Sequence, residues 1–114
     1  MAAGQVVLVD TDLDLDERFV LLPTPGHSPG HMCIDVRTRD GQAILAGDVM
    51  HHPIQAAHPD WNSRYCIDPA RSRAARIKFV ERYADSGAII LGAHFATPTA
   101  GRIVANGARC KFQV

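Results

Sequence analysis

The stretch PTPGHSPGH, residues 23–31, combines three prolines, two glycines and two histidines in nine positions. It directly follows the apolar run FVLL, residues 19–22, which predicts a buried strand. Glycine allows a positive φ and proline holds φ near −65°, so this loop can keep one rigid shape. A rigid loop after a strand suits the presentation of His27 to a ligand, although a plain turn remains the alternative.

Length and composition limit the class of protein. The 114 residues, 46% of them hydrophobic, predict one domain over residues 1–114 with a packed core. Twelve basic and twelve acidic residues give no charge excess for binding nucleic acid or an anionic membrane surface. No apolar run approaches the ~20 residues of a membrane span, and residues 1–4 do not resemble a signal peptide. Cys33, Cys66 and Cys110 lack C-x-x-C spacing, so we expect reduced thiols and a cytoplasmic protein.

Apolar runs and turn residues predict a succession of short strands. The acidic stretch at residues 10–16 is a turn, because a calcium loop would need glycine and glutamate where Leu15 and Leu21 stand. Residues 50–67 have no clear period and form a long loop that can include a helical turn. We predict strands over residues 5–9, 17–22, 31–37, 42–46 and 88–91, and a terminal hairpin of residues 102–104 and 108–114.

One helix is predicted after this loop. Asp68 is a suitable N-cap and Pro69 a suitable first helical residue, and Ser86-Gly87 ends the pattern. The expected apolar stripe consists of Ala70, Ala74, Ile77, Val80 and Ala84. The expected solvated face carries Arg71, Arg73, Arg76, Lys78 and Arg82.

Three strand ends share one pattern. The segments LLPTPGH, AILAGD and IILGAH each join an apolar strand to a glycine and then to His27, Asp48 or His94. In α/β folds, binding sites form at the carboxyl ends of strands. Imidazole and carboxylate are ligands that zinc accepts. The pattern therefore predicts a shared metal site, while structural roles for single histidines stay open.

These residues also carry a resemblance to a known family. TPGHSPGH, AILAGD, and LGAHF ahead of TAGRIV resemble the second half of the metallo-β-lactamase fold superfamily. GDVMHHPIQAAHPDW, with the helix after it, is similar to the superfamily's lactonase-like and parathion-hydrolase-like members. The resemblance covers about residues 6–107. It implies an α/β (α+β) fold that is half of an αβ/βα sandwich, mostly one mixed sheet with one main helix.

The resemblance assigns roles to individual residues. It implies that His27 binds the first of two zinc ions, that Asp48 bridges both, and that His94 binds the second. It implies that His31 supports the loop rather than binding metal. His51, His52 and His58 would lie in the loop on the substrate side, as loop structure or substrate contacts. The family's chemistry is hydrolysis of esters, lactones, amides, thioesters or phosphoesters.

One part of the family pattern is absent. No H-x-H-x-D-H motif occurs, so three of seven expected ligands are present and we expect a poor or inactive hydrolase as a monomer. Half a sandwich also leaves one sheet face uncovered, which favours a homodimer or a complementary N-terminal half as partner. The candidates for that face are Leu21, Ile34, Ile44 and Ile90.

Two classes of function remain open from the sequence. The first is a fragment or subunit of a metal-dependent hydrolase of the ester, lactone or phosphoester class. The second is a non-catalytic homodimer that binds a metal or small ligand, or a protein-interaction module, derived from the same fold. Whether the chain is an enzyme depends on which of these holds.

Overall fold

The computed structural model describes residues 4–9 and 13–114, and the backbone alone at residues 13 and 14. Seven strands form one sheet in sequential order, with a short 3-10 helix at Pro53–Ala56 and one α-helix, α1, at Pro69–Tyr83. The strands are β1 (Leu13–Asp14), β2 (Phe19–Pro23), β3 (Met32–Thr38), β4 (Gly41–Gly47), β5 (Ile89–Gly92), β6 (Ala100–Asn106) and β7 (Arg109–Gln113).

The sheet is mixed. Neighbouring strands are antiparallel except β4 and β5, which are parallel and connected through α1. Because β2 and β4 both run antiparallel to β3, and β5 runs parallel to β4, the carboxyl ends of β2, β4 and β5 lie at one edge. This arrangement confirms the expected mixed sheet with one main helix.

The hydrophobic core lies between α1 and one face of the sheet. Phe79 and Tyr83 of α1 pack with Ile44 and Ile90, which are both completely buried on the central strands. Phe95 and Ile103 extend the same cluster toward the terminal hairpin. Apolar surface removed from water contributes about 25 cal/mol per Å², so this layer is the main source of stability.

The ends of α1 follow from local hydrogen bonds. Asp68 caps the amino end as predicted, because its Oδ1 accepts from the backbone N–H of Arg71 at 2.9 Å. The helix ends at Tyr83, before the predicted Ser86-Gly87. Asp85 takes a φ of 54°, and its N–H donates to the Ile103 carbonyl oxygen at 3.0 Å. This bond to β6 pulls the chain away from the helix axis.

The buried face of α1 differs from the predicted stripe. Ala70 and Ala74 are exposed, whereas Arg76, predicted on the solvated face, is completely buried. The spacing of alanines was misleading because alanine fits either face, and the burial of Arg76 depends on long-range hydrogen bonds. The buried residues of the helix are Ser72, Arg76, Phe79, Val80 and Tyr83.

The uncovered face of the sheet is real, but its predicted members were partly wrong. Leu21 pairs with Ile34, Ile34 with Leu45, and Leu45 with Leu91, so these four side chains share one face. Ile44 and Ile90 instead point to the opposite face and pack against α1. We call the uncovered side the open sheet face. It consists of Phe19, Leu21, Ile34, Val36, Leu45, Ile89 and Leu91.

Part of the open sheet face is accessible even at the sheet centre. Leu45 of β4 is 41% exposed, and Ile89 of the neighbouring strand β5 is 38% exposed. The one α-helix of the described residues packs against the other face. Contiguous exposed apolar surface of this kind usually marks an interface.

The remaining strand predictions have mixed outcomes. The terminal hairpin is confirmed, with Gly107 at a φ of 63° in its turn. Residues 5–9 pair with no strand of the described residues, so that prediction was wrong; most of these residues are exposed. Residues 10–12 of the acidic stretch lie outside the described residues, and Leu13–Asp14 pairs with β2.

Two sequence expectations concern the environment of the chain. Among the described residues, α1 is too short and too polar to cross a lipid bilayer. All three cysteines have free thiols. Burial raises the pKa of the Cys33 thiol to about 11, with a hydrogen bond to Thr24 partly opposing the shift. Cys33 is therefore an unreactive core residue at neutral pH.

Candidate metal centre

The loop that carries His27 is pressed against the first turn of α1. The N–H of Asp68 donates to the Gly26 carbonyl oxygen at 2.9 Å, and the N–H of Ile67 donates to the His27 carbonyl oxygen at 3.1 Å. Gly26 has a φ of 133°, and a Cβ there would lie 2.0 Å from the Ser72 backbone nitrogen. Glycine is therefore required where this loop contacts the helix.

We expect Gly26→Ala to destabilise the fold by more than about 2 kcal/mol, because both the backbone angle and the helix contact oppose a Cβ. Gly30→Ala is the matched control in the same loop. A Cβ at Gly30 meets nothing within 4 Å, so its effect should stay within about 0.5 kcal/mol. Urea denaturation followed by circular dichroism measures both. Equal stabilities of the two variants would contradict this account of the loop.

His31 connects the same loop to Asp48. The backbone N–H of Asp48 donates to His31 Nε2 at 2.8 Å, so the ring proton is on Nδ1 and is donated to Thr24 Oγ1 at 2.7 Å. The Thr24 hydroxyl then donates to Cys33 Sγ, which donates to the Ala46 carbonyl oxygen. Burial, partly offset by Asp48, lowers the pKa of His31, which keeps the ring neutral at pH 7. His31 thus orients the backbone of Asp48.

The side chains of His27, Asp48 and His94 meet at the edge where β2, β4 and β5 end. Asp48 Oδ2 lies 3.4 Å from His27 Nε2, and Asp48 Oδ1 lies 2.6 Å from His94 Nε2. The carboxylate therefore stands between the two imidazoles, one facing each oxygen. His94 is the most accessible of the three, with 56% of its side chain exposed.

His51 is the fourth member of this group. Its ring stacks on His94 with centroids 5.2 Å apart and an interplanar angle of 4°, and it lies 4.9 Å from the His27 ring. Ligand atoms of His27, Asp48 and His51 lie within 4.8 Å of one another. Burial, followed by the nearby His27 imidazole, lowers the pKa of His51, which favours the neutral ring at pH 7. Neutral imidazole is the form that binds metal ions.

The donor set fits a zinc ion. Among the described residues, three of the five buried side-chain nitrogen and oxygen atoms without a hydrogen bond are imidazole nitrogens of this group: His27 Nδ1 and both ring nitrogens of His51. Buried polar atoms are normally satisfied, so this concentration calls for a ligand. Imidazole nitrogens with one carboxylate are a donor set that zinc accepts.

The other loop histidines have different surroundings. His52 is exposed and caps the 3-10 helix, since its Nδ1 accepts from the N–H of Ile54 at 3.1 Å. His58 stacks on Trp61 and contacts Arg109. The sequence predicted loop structure or substrate contact for His51, as for these two. The only sequence signal that separates His51 from them is its closeness to Asp48 along the chain.

A cleft opens over the group. It has a volume of about 690 Å³ and is lined by His27, His51, Ser63, Tyr65 and His94. Ser63 and Tyr65 come from the end of the long loop that precedes α1. The cleft is large enough for a small organic substrate beside the histidines.

Solved structures with similar folds are hydrolases. The hydrolase AbOPH of the beta-lactamase superfamily is 25% identical with a TM-score of 0.80, over 88% of this chain and 35% of its own. AidC, a dizinc quorum-quenching lactonase, is also 25% identical with a TM-score of 0.80, over 91% of this chain and 36% of its own. A probable metal-dependent hydrolase from Staphylococcus aureus is 17% identical with a TM-score of 0.82, over 98% of this chain and 40% of its own.

Neither a family model nor a curated protein matches the sequence. The chain spans between about a third and two fifths of the length of these solved hydrolases. Nearly all of this chain superposes on each hydrolase, whereas most of each hydrolase has no counterpart in this chain. The chain therefore has the fold of one half of the metallo-β-lactamase superfamily hydrolases.

Proposed function

We propose that this chain carries the metal-binding half of a zinc-dependent hydrolase that acts on an ester, a lactone or a phosphoester. The observation that carries the proposal is the position of Asp48 between His27 and His94, with His51 beside them. The similarity to a dizinc lactonase supports the same class of reaction.

Zinc bound at this group would be held by His27, Asp48 and His94, with His51 as an additional candidate ligand. When bound, zinc supplies Lewis-acid stabilisation of negative charge on a substrate carbonyl or phosphoryl oxygen. Ser63 and Tyr65, on the wall of the cleft, would contact the substrate. His31 would hold the Asp48 backbone in place through its hydrogen bond.

We further propose that turnover requires ligands from outside residues 1–114. Three imidazoles and one carboxylate satisfy the usual three or four ligands of one zinc ion, but not those of two. A complementary half that covers the open sheet face would bring the missing ligands to the same edge. The free thiols of all three cysteines support a reducing compartment such as the cytoplasm.

A chimera tests the proposed function directly. In it, this chain replaces the matching 36% of AidC, and the product is compared with the chain alone. We expect the chimera to bind two zinc ions and to hydrolyse a homoserine lactone, an aryl ester or a phosphotriester, while the chain alone does not. A folded, zinc-loaded chimera without any turnover would contradict the hydrolase assignment. Turnover by the chain alone would contradict the need for further ligands.

A further inference from the structure

The guanidinium of Arg76 is completely buried, and within residues 4–9 and 13–114 no carboxylate lies at ion-pair distance from it. Burial of a charge without a counter-ion is costly unless hydrogen bonds replace the lost water. Arg76 makes such bonds, and most of them go to one segment of the chain.

That segment is residues 49–62, which we call the site loop. Arg76 Nε donates to the Pro59 carbonyl oxygen at 2.8 Å, and Nη2 donates to Asn62 Oδ1 at 2.6 Å. Arg76 Nη1 donates to the Val49 carbonyl oxygen at 3.3 Å. Val49 follows Asp48 directly, and Asn62 is the last residue of the loop. One side chain of α1 thus ties both ends of the site loop to the helix.

A second buried side chain braces the loop from inside. Gln55 Oε1 accepts from the backbone N–H groups of His51 at 2.6 Å and His52 at 3.2 Å. Gln55 Nε2 donates to the Trp61 carbonyl oxygen at 2.8 Å. The backbone of His51 is therefore linked, through Gln55, to the end of the loop that Arg76 holds.

The His51 ring depends on this backbone support. Within the part of the chain that the structure describes, neither of its ring nitrogens has a hydrogen-bond partner, and its ring neighbours are the imidazoles of His27 and His94. Nothing bonded to the ring itself fixes its place over Asp48. The hydrogen bonds to the loop backbone must do so instead.

We propose that Arg76 is a positioning residue of the metal centre, which holds the site loop so that His51 stays stacked on His94 beside Asp48. This inference rests on the proposed metal-binding function. This role requires a planar guanidinium, whose several N–H groups donate in different directions. The single ammonium group of a lysine cannot donate to Val49, Pro59 and Asn62 at the same time.

The test uses the full chain without metal, and then with zinc. The contact between the His51 and His94 rings is measured as a nuclear Overhauser effect between their ring protons in a histidine-labelled sample. We expect the contact in the wild type and its loss in Arg76→Lys, with zinc binding about 10- to 100-fold weaker, the size typical of outer-shell changes. Arg73→Lys, on the exposed side of the same helix, should change neither quantity.

A second pair of variants guards against a folding defect in Arg76→Lys. Asn62→Asp keeps an oxygen for Arg76 and should retain the ring contact, whereas Asn62→Leu removes that oxygen and should weaken it. A folded Arg76→Lys with an intact ring contact and unchanged zinc affinity would overturn the proposal. If Arg76→Lys does not fold, equal ring contacts in the two Asn62 variants would overturn it.

The same data separate this inference from the proposed function. A wild-type chain with the ring contact but without zinc binding would contradict the metal centre, and the ring contact in the variants would still decide the role of Arg76.

Discussion

Asp48→Ala should remove zinc binding from the purified chain while the fold persists. The Asp48 carboxylate faces His27 Nε2 and His94 Nε2 and is the one acidic group of the cluster. Without it, the cluster has no anionic ligand left for a dication. We expect zinc affinity to fall by more than about 100-fold, because even changes outside the ligand set cost about 10- to 100-fold. Metal content after dialysis and titration calorimetry measure the loss.

Asp40→Ala provides the control for this experiment. Asp40 is an exposed carboxylate in the turn between β3 and β4, and its removal should leave zinc binding unchanged. The stability of Asp48→Ala should stay near that of the wild type, because His31 bonds to the backbone of residue 48 and not to its side chain. Equal zinc content in Asp48→Ala and the wild type would rule out the assignment of Asp48.

The second large effect concerns the open sheet face. When the chain is purified alone, we expect a second copy to cover this face, so that it sediments as a dimer or larger species at low micromolar concentration. Leu45→Glu should shift it to monomer. One buried leucine contributes about 1.5–3 kcal/mol, and a symmetric dimer would lose two such leucines. The dissociation constant of the dimer should therefore rise by at least about 100-fold. Sedimentation equilibrium measures the change.

Val114→Glu is the matched control for association. Val114 is 72% exposed at the end of the described chain and lies outside the open sheet face, so its replacement should not alter the sedimentation. A wild-type monomer at low micromolar concentration would contradict self-association through this face. A stable dimer without hydrolytic activity or bound zinc would favour the non-catalytic homodimer over the hydrolase half.

The positions of His27, Asp48 and His94 could be predicted because each follows an apolar strand and a glycine. This pattern is visible within each short segment. The three segments meet because the carboxyl ends of β2, β4 and β5 lie at the same edge of the sheet. The place of His51 could not be predicted in this way. It depends on hydrogen bonds between Gln55 and the loop backbone, and on hydrogen bonds that Arg76 donates from α1. Neither set of bonds produces a periodic pattern in the sequence.

The fold was predictable where patterns are short-range. The Asp68 cap and the terminal hairpin follow from cap and turn residues, and the structure confirms both. Errors arose where tertiary contacts decide the result. Ile44 and Ile90 were placed on the wrong face because strand register across the β4–β5 pair cannot be read from each strand alone. Arg76 was placed in solvent because charged residues are rarely buried.

The most direct test of the account is anomalous diffraction at the zinc edge from crystals of the full chain grown with zinc. We expect a zinc peak within bonding distance of Asp48 and of at least two of His27, His51 and His94. Zinc peaks only at surface side chains such as His52 or His58, with none at Asp48, would contradict it.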